Sequence, residues 1–353
     1  MTLHTEGSIT FEATGAFFNP RMQLNRDIGV AMTKALGISE YLDALSASGI
    51  RGMRVAAEAG TEKVTLNDFD PRAVQVMRRN VARNQLDCVV SEKNANVLMH
   101  QEHFQAVDLD PFGSPSPYIS AASRSARSYL FITATDTAPL CGAHLKSGIR
   151  KYMAVPLCTD YHREMGARIL LGLAAREPAR LDKGTEPLLT HVTDHYVRTY
   201  LRVVKGAEAA DRSLQSLGYL EHCNSCGSFE TLRLLHPVGI CRHCRSRTAL
   251  AGPLWLGKIQ DPDVITSALV AGDLGPRAKK ILSTCAKEVD VPMYYDHHCI
   301  CEKLRITPGK IEDVISRLKS LGHQASRTHF TGLGIKTNAT LPELEEVLRE
   351  NNI

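Results

Sequence analysis

The chain has 353 residues, 43% of them hydrophobic and 23% charged. This is the composition of an ordinary globular protein, with apolar material for more than one small domain. The first twenty residues lack a positively charged start followed by an apolar run, and the most apolar helix-like stretch, Ile169–Ala175, is far shorter than the ~20 residues a bilayer requires, so neither a secretory signal nor a membrane span is expected. A cytoplasmic protein is the expectation.

The net charge is +4, unevenly distributed: residues 1–114 carry 11 basic and 14 acidic side chains, residues 115–222 carry 14 and 10, and residues 223–252 carry 4 and 1. The final stretch, 253–353, is balanced at 13 of each. A positive excess in the middle of the chain suits a polyanionic partner.

Glu40–Leu45 reads as a short strand and Met53–Ala59 as the helix after it. Between them lies the small-residue turn Ser46-Ala47-Ser48-Gly49-Ile50-Arg51-Gly52, which lets the backbone approach a ligand at the C-terminal edge of a sheet. With glycines only at 49 and 52, the dinucleotide fingerprint is absent. The next strand, Val64–Leu66, runs into Asn67-Asp68. Asp68 follows Gly49 by 19 residues, where a carboxylate can accept hydrogen bonds from both hydroxyls of a ribose. Asp70-Pro71 supplies an N-cap and a first-turn proline to a helix over Arg72–Asn84. Cys88–Val90, Gln105–Leu109 and Tyr129–Thr133 read as further strands. This alternation predicts an α/β domain with a mostly parallel sheet and helices on both faces. No basic phosphate-cradling loop occurs, so a nucleoside bearing an amino acid fits better than a nucleoside triphosphate. Its carboxylate would pair with an arginine, Arg26 or Arg51.

The strand Ala106–Leu109 ends in Asp110-Pro111-Phe112-Gly113. This is the chemical type of the Asn/Asp-Pro-Pro-aromatic motifs of amino-methylating enzymes. The exocyclic amine of a base is a poor nucleophile because its lone pair is delocalised into the ring. The Asp110 carboxylate and the Pro111 carbonyl can hold its two hydrogens and orient the nitrogen toward a methyl donor. Phe112 can stack on a base taken out of its helix.

Residues 160–220 read as helical. Cys223-x-x-Cys226 and Cys241-x-x-Cys244 follow, separated by 14 residues, and this spacing predicts a tetrahedral structural zinc ribbon over about 219–250. His222, His236 and His243 lie nearby and read as bystanders. Arg233, Arg242, Arg245 and Arg247 would offset the negative charge of a four-thiolate zinc. Beyond Gly252 the chain reads as a separate α+β module, with an amphipathic helix over Lys310–Leu321 and a hairpin wing from Arg327–Phe330 and Gly334–Thr337.

Phe18-Asn19-Pro20-Arg21-Met22, Asn25-Arg26-Asp27, Ser46–Gly52, Asp108–Gly113 and Thr133–Gly142 together resemble the tRNA (guanine(26)-N(2))-dimethyltransferases of the archaeal type, over nearly the whole chain. The resemblance implies a Rossmann-like class I methyltransferase domain over 1–252, containing the zinc-ribbon-like segment, and a winged-helix-like RNA-binding domain over 253–353. It implies S-adenosylmethionine as methyl donor and tRNA as partner; no obligate protein partner is inferred. By position, Arg26, Arg51 and Asp68 match the family's cofactor contacts, and Asn94 and Ala95 fall at the adenine end, where Asn94 departs from the aspartate of many members. Asp110, with Pro111 and Phe112, matches the catalytic position. The alternatives are an amino-methyltransferase acting on another RNA or on DNA, and an inactive zinc-ribbon RNA-binding protein.

Overall fold

The computed structural model describes residues 2–235 and 239–350. A hairpin of β1 (Leu3–Glu6) and β2 (Ile9–Glu12) precedes α1 (Gln23–Ala35). Strands and helices then alternate: β3 (Glu40–Asp43), α2 (Ile50–Glu58), β4 (Lys63–Asp68), α3 (Pro71–Arg83), β5 (Cys88–Glu92), α4 (Ala95–Gln101), β6 (Phe104–Leu109), α5 (Ser116–Ser125) and β7 (Ala126–Ala134). The expected elements are all present, displaced by a few residues at their ends. Helix α2 starts a turn early because Gly49 sits in the left-handed region at φ 82° and turns the chain directly into it. Helix α3 begins where its sequence signals it, with the Asp70 side chain accepting from Arg72 N and Pro71 in the first turn.

The reading of 160–220 as helical is corrected. After α6 (Thr137–Leu140) and α7 (Leu145–Tyr152), helix α8 (His162–Ala179) ends, and the chain turns into the long antiparallel pair β8 (Lys183–Thr193) and β9 (Tyr196–Lys205) before α9 (Ala207–Gln215). The central sheet therefore has seven strands in the order β5-β4-β3-β6-β7-β9-β8, with β7–β9 and β8–β9 antiparallel. Residues 188–193 and 196–201 are buried without interruption, so the strand alternation that marks a half-exposed sheet is absent. The signal overlooked is the β-branched and aromatic enrichment on both sides of Asp194-His195, the two-residue turn of this hairpin.

Strands β10 (Leu217–His222), β11 (Phe229–Leu232) and β12 (Ala249–Trp255) form a small antiparallel sheet from which the cysteine loops project. Helices α10 (Pro262–Ala271) and α11 (Pro276–Cys285) follow. Ile265, Ala268 and Leu282 enter the same core as Ile28 and Met32 of α1 and Tyr41 of β3. The remainder is β13 (Tyr295–Asp296), α12 (His297–Leu304), α13 (Ile311–Ser320), β14 (Ala325–Arg327), β15 (Gly334–Thr337) and α14 (Leu341–Glu350), with sheet order β13-β15-β14. With α11 in front, this is the element order of a winged helix, and most of its interior is a core of its own. The hairpin wing is shorter than expected. Phe330 leaves the strand to stack on Tyr294, with centroids 5.9 Å apart, and is fully buried.

A buried polar joint ties this module to the large domain. Glu164 of α8, with no solvent exposure, accepts from Arg168 Nε at 2.9 Å, Lys336 Nζ at 2.9 Å and Met293 N at 3.0 Å. Beside it, His329 donates from Nδ1 to Glu288 at 2.7 Å and accepts at Nε2 from Val192 N at 3.3 Å. Removing one partner of a buried pair leaves the other charge uncompensated, at about 3–5 kcal/mol. Lys336→Met should therefore lower unfolding stability by about 3 kcal/mol, the smaller figure because Arg168 remains on Glu164. Urea unfolding of the full chain followed by tryptophan fluorescence checks this, since Trp255 O lies in the same joint, accepting from Arg168 Nη1 at 3.0 Å.

Candidate functional site

The C-terminal ends of β3, β4 and β6 open onto a cleft of about 830 Å³. The loop 45–48 and the start of α2 line one wall, Asp68 to Arg72 another, and Asp110-Pro111-Phe112 the floor. The segment Gly15–Asn19 covers it from the side of α1. The first turn of α2 opens toward it with no side chain on its N-cap residue, Gly49, and of its N–H groups that of Gly52 is taken by Asp43 Oδ2 at 3.1 Å. Close packing here needs glycine: a Cβ on Gly52 would lie 2.2 Å from Leu66 Cδ2.

Each expected residue has a definite place. Asp68 is fixed by its own loops, accepting from Ala47 N at 2.9 Å and Asp70 N at 3.0 Å, and stays half-exposed in the cleft wall. Arg26 is buried and forked onto Glu6, with Nε–Oε1 2.6 Å and Nη2–Oε2 2.5 Å, its guanidinium 5.2 Å from the Phe18 ring. The β1–β2 hairpin thus supplies the acid that aims it. Arg51 donates from Nη2 both to Asn25 Oδ1 at 2.9 Å and to Asp110 Oδ2. Among the described residues Oδ1 of Asp110 has no partner. Asn94 and Ala95 do not line the cleft; the Asn94 side chain caps α4, accepting from Asn96 N at 3.0 Å and Val97 N at 3.4 Å.

Three aromatic side chains stand exposed at the rim: Phe17 (51%), Phe69 (72%) and Phe112 (71%). Phe17 meets Phe112 edge to face, with centroids 4.1 Å apart. Aromatic rings left this open beside a cleft are available to a planar ligand. Of these, only Phe112 was singled out in the sequence. Asp43 also lines the cleft. It is fully buried, accepts from Gly52 N at 3.1 Å, and burial pushes its carboxyl up to about 7, against the pull of Arg51. A second depression of about 530 Å³, beside β8 and α9, has mixed charges such as Arg212, Lys258 and Asp263 and no such convergence of groups.

The four cysteines converge as their spacing requires. All four Sγ atoms lie within 4.8 Å of one another, with Cys223–Cys244 at 3.4 Å and Cys226–Cys241 at 3.7 Å. A tetrahedron of Zn–S bonds has edges of about 3.8 Å, so the donors fit zinc. Each knuckle closes by the same backbone bonds, Gly227 N to Cys223 O at 2.8 Å and Arg245 N to Cys241 O at 2.9 Å. Both turning residues have positive φ, 87° and 64°. His222 bonds Tyr161 Oη at 2.7 Å and His243 lies 3.9 Å from Glu345, so both are engaged elsewhere; His236 lies outside the described residues.

The profile of the N2,N2-dimethylguanosine tRNA methyltransferase family matches residues 2–349. The chain belongs to this family. It is 47% identical to the tRNA (guanine(26)-N(2))-dimethyltransferase of Methanosarcina mazei, covering 95% of this chain and 92% of that one. It is 48% identical to the enzyme of the same name from Methanosarcina barkeri, at 96% and 92% coverage. The structure of Trm1 from Pyrococcus horikoshii with S-adenosyl-L-methionine superposes with a TM-score of 0.91 at 38% identity, covering 99% of this chain and 100% of that one. No helix among the described residues is long and apolar enough to cross a membrane.

Two outcomes follow from the site's physics. The raised Asp43 group favours the folded state while protonated. Its contribution is full below the ordinary carboxyl value of 3.8 and is lost as pH rises through about 7. Asp43→Asn should therefore flatten the fall of stability between pH 4 and 7, a slope of at most about 1.4 kcal/mol per pH unit. Chemical denaturation across that range reads it, and an unchanged slope would refute the assignment. Zinc should be present at one per chain. Phe229, next to the first knuckle, is wedged between Tyr161 (4.9 Å) and Tyr295 (4.8 Å), so chelation should loosen the C-terminal module, seen as rapid hydrogen exchange in 219–250 and around Tyr295.

Proposed function

We propose that this chain transfers one or two methyl groups from S-adenosylmethionine to the exocyclic 2-amino group of guanine 26 in tRNA. What carries the reading is family membership over residues 2–349, joined to a cleft that brings Asp68, Arg51 and Asp110-Pro111-Phe112 to one sheet edge. S-adenosylmethionine, when bound, supplies a methyl group activated by its sulfonium. Asp68 is set to accept from the ribose hydroxyls, and its two backbone bonds keep the carboxylate from turning away. Arg26 and Arg51 are the candidate partners of the cofactor's carboxylate; each already has a protein acid and would share its guanidinium. Asn94 and Ala95, which lie off the cleft with the Asn94 side chain spent on capping α4, are given no cofactor contact in this reading.

Asp110 and Pro111 act on the amine. Arg51 holds Oδ2 of Asp110, leaving Oδ1 to accept one amine hydrogen while the Pro111 carbonyl accepts the other. The nitrogen attacks the methyl carbon, the carbon–sulfur bond breaks, and the displaced amine proton passes to Asp110. Phe112 and Phe17 provide the apolar faces that receive a base out of its stack. We assign residues 1–252 to the methyltransferase domain, with the zinc-ribbon-like segment 219–250, and 253–353 to tRNA binding. Cytoplasmic action is part of the same proposal.

The two carboxylates should separate by phenotype. Asp110→Ala should lower methyl transfer by about 10²–10⁴-fold with cofactor affinity nearly unchanged. Asp68→Ala should weaken S-adenosylmethionine binding by about 1.5–3 kcal/mol, the worth of bonds to a charged acceptor. Calorimetry and labelled-methyl transfer to tRNA, with duplex DNA as control, measure both. More than a tenth of normal turnover in Asp110→Ala, or labelled DNA and unlabelled tRNA, would overturn the reading.

A further inference from the structure

Helix α7 (Leu145–Tyr152) stands directly behind the catalytic loop. The Tyr152 hydroxyl donates to Asp136 at 2.5 Å and lies 3.1 Å from Ser114 Oγ. Ser114 follows the Asp110–Gly113 turn by one residue, and Asp136 follows Thr135, which lines the cleft. The helix is pressed down by Gly148, where a Cβ would lie 2.7 Å from Pro139 O and 2.8 Å from Pro156. Its other side is exposed. There Leu145 (46% exposed) and Ile149 (41%) form an i, i+4 ridge, and Met153, just past the end, is 65% exposed. Lys146 and Arg150 form a parallel i, i+4 ridge beside it, both exposed and without ion-pair partners among the described residues. The third cation, Lys151, is tied to Asp136 at 2.9 Å. From residue 137 to residue 159 there is no acidic side chain at all.

An apolar ridge beside an unopposed cationic ridge does not suit a dry protein interface, where unpaired charge is costly. It suits a nucleic acid, whose phosphates take the cations and whose opened base steps take apolar side chains. A guanine drawn into the cleft leaves a gap in its stack, and α7 packs on the residues that directly follow the catalytic turn. We infer that this face of α7 docks the tRNA beside the target nucleotide, Lys146 and Arg150 holding backbone phosphates and Leu145 and Ile149 filling the stack that extrusion opens. The inference rests on the proposed tRNA methyl transfer and assigns part of its substrate surface.

Full-length variants test it on two substrates: a tRNA with guanine at position 26, and the same tRNA with an abasic nucleotide opposite the target, where extrusion costs less. In Lys146→Ala/Arg150→Ala, tRNA affinity should fall about tenfold, and the slope of log affinity against log salt should shrink by about 1.4–1.8, two phosphate contacts' worth. In Leu145→Ser/Ile149→Ser, tRNA affinity should stay within about threefold while turnover falls about tenfold or more, and the abasic tRNA should restore it. Cofactor affinity, measured by calorimetry, should be unchanged in both, since these exposed side chains touch no part of the cleft. Wild-type turnover and salt slope in both double variants would overturn the inference. So would an apolar-pair defect of equal size on both tRNAs, or a wild-type dimer in sedimentation that these substitutions dissociate, since the face would then be a contact between copies. In those cases the unsubstituted chain still methylates tRNA; if it does not, the functional reading itself has failed.

Discussion

Asp108 carries a charge with no solvent exposure, and a carboxylate taken fully out of water costs several kcal/mol unless its oxygens are met. Arg198 meets both, at 2.7 and 2.6 Å, and the Tyr41 hydroxyl adds a bond of 2.5 Å. Burial alone would raise this carboxyl; Arg198 and Arg51 together hold it below its usual range. These partners come from different strands: Tyr41 from β3, Asp108 from β6 and Arg198 from β9, which reaches Thr133 of β7 at 3.0 Å. The cluster therefore clamps four strands at one level, two residues below Asp110. Arg51 Nη1 lies 3.8 Å from Asp108, while its Nη2 holds Asp110. The buried charge just beneath the cleft thus fixes the arginine that fixes its floor. It also gives the antiparallel hairpin a reason to be there, since without β9 the buried acid would lose the arginine that bonds both its oxygens and keep only Arg51 at 3.8 Å.

That dependence explains which parts of the molecule were legible in the sequence. Asp70-Pro71, the glycines of the 46–52 turn and the Cys-x-x-Cys pairs act through local geometry, so their residue types announce their roles. Asp110 was legible because a chemistry demands that residue before that proline. Arg198 and Glu6 were not. Each matters through a partner 90 or 20 residues away, Asp108 and Arg26, and nothing local marks an arginine inside a strand as a counter-ion. The β8–β9 hairpin was lost for a related reason: buried on both faces, it shows no alternation, and its neighbour α8, buried nearly all round, has no polar face to mark where the helix ends. Phe17 was hidden by its surroundings in another sense, since an exposed aromatic looks the same in sequence as a buried one.

The C-terminal module is joined to the large domain by two unlike means. The Glu164–Lys336 joint is polar and buried, so it is specific in register but contributes little net stability over an apolar equivalent. Phe229 between Tyr161 and Tyr295 is apolar, and its position depends on a strand whose end is a metal knuckle. Zinc here acts at a distance from the cleft, by setting where the last module sits. Both contacts fall at the start of α8, Glu164 within its first turn and Tyr161 just before it, so moving the module there breaks a buried ion set or a ring stack.

On the proposed reading, the same floor must serve a first and a second methyl transfer. A guanine amine brings two hydrogens to two acceptors, the free oxygen of Asp110 and the Pro111 carbonyl. A monomethylated amine brings one. The acceptor that keeps it is decided by strength: a bond to a carboxylate is roughly twice that to a neutral carbonyl. Once Asp110 has released the proton it took, the remaining hydrogen therefore turns to Asp110, and the carbonyl of Pro111 loses its partner. The net loss of about 0.5–1.5 kcal/mol slows the second step by up to about tenfold. The first methyl must then lie on the Pro111 side of the amine, toward Phe112. That side is the exposed one: Phe112 is 71% accessible and, among the rings of the described residues, touches only Phe17, so a methyl group meets an apolar, yielding wall rather than a packed core. Had Arg51 not occupied Oδ2, Asp110 could rotate to offer either oxygen, and the orientation of the second methyl acceptor would not be set.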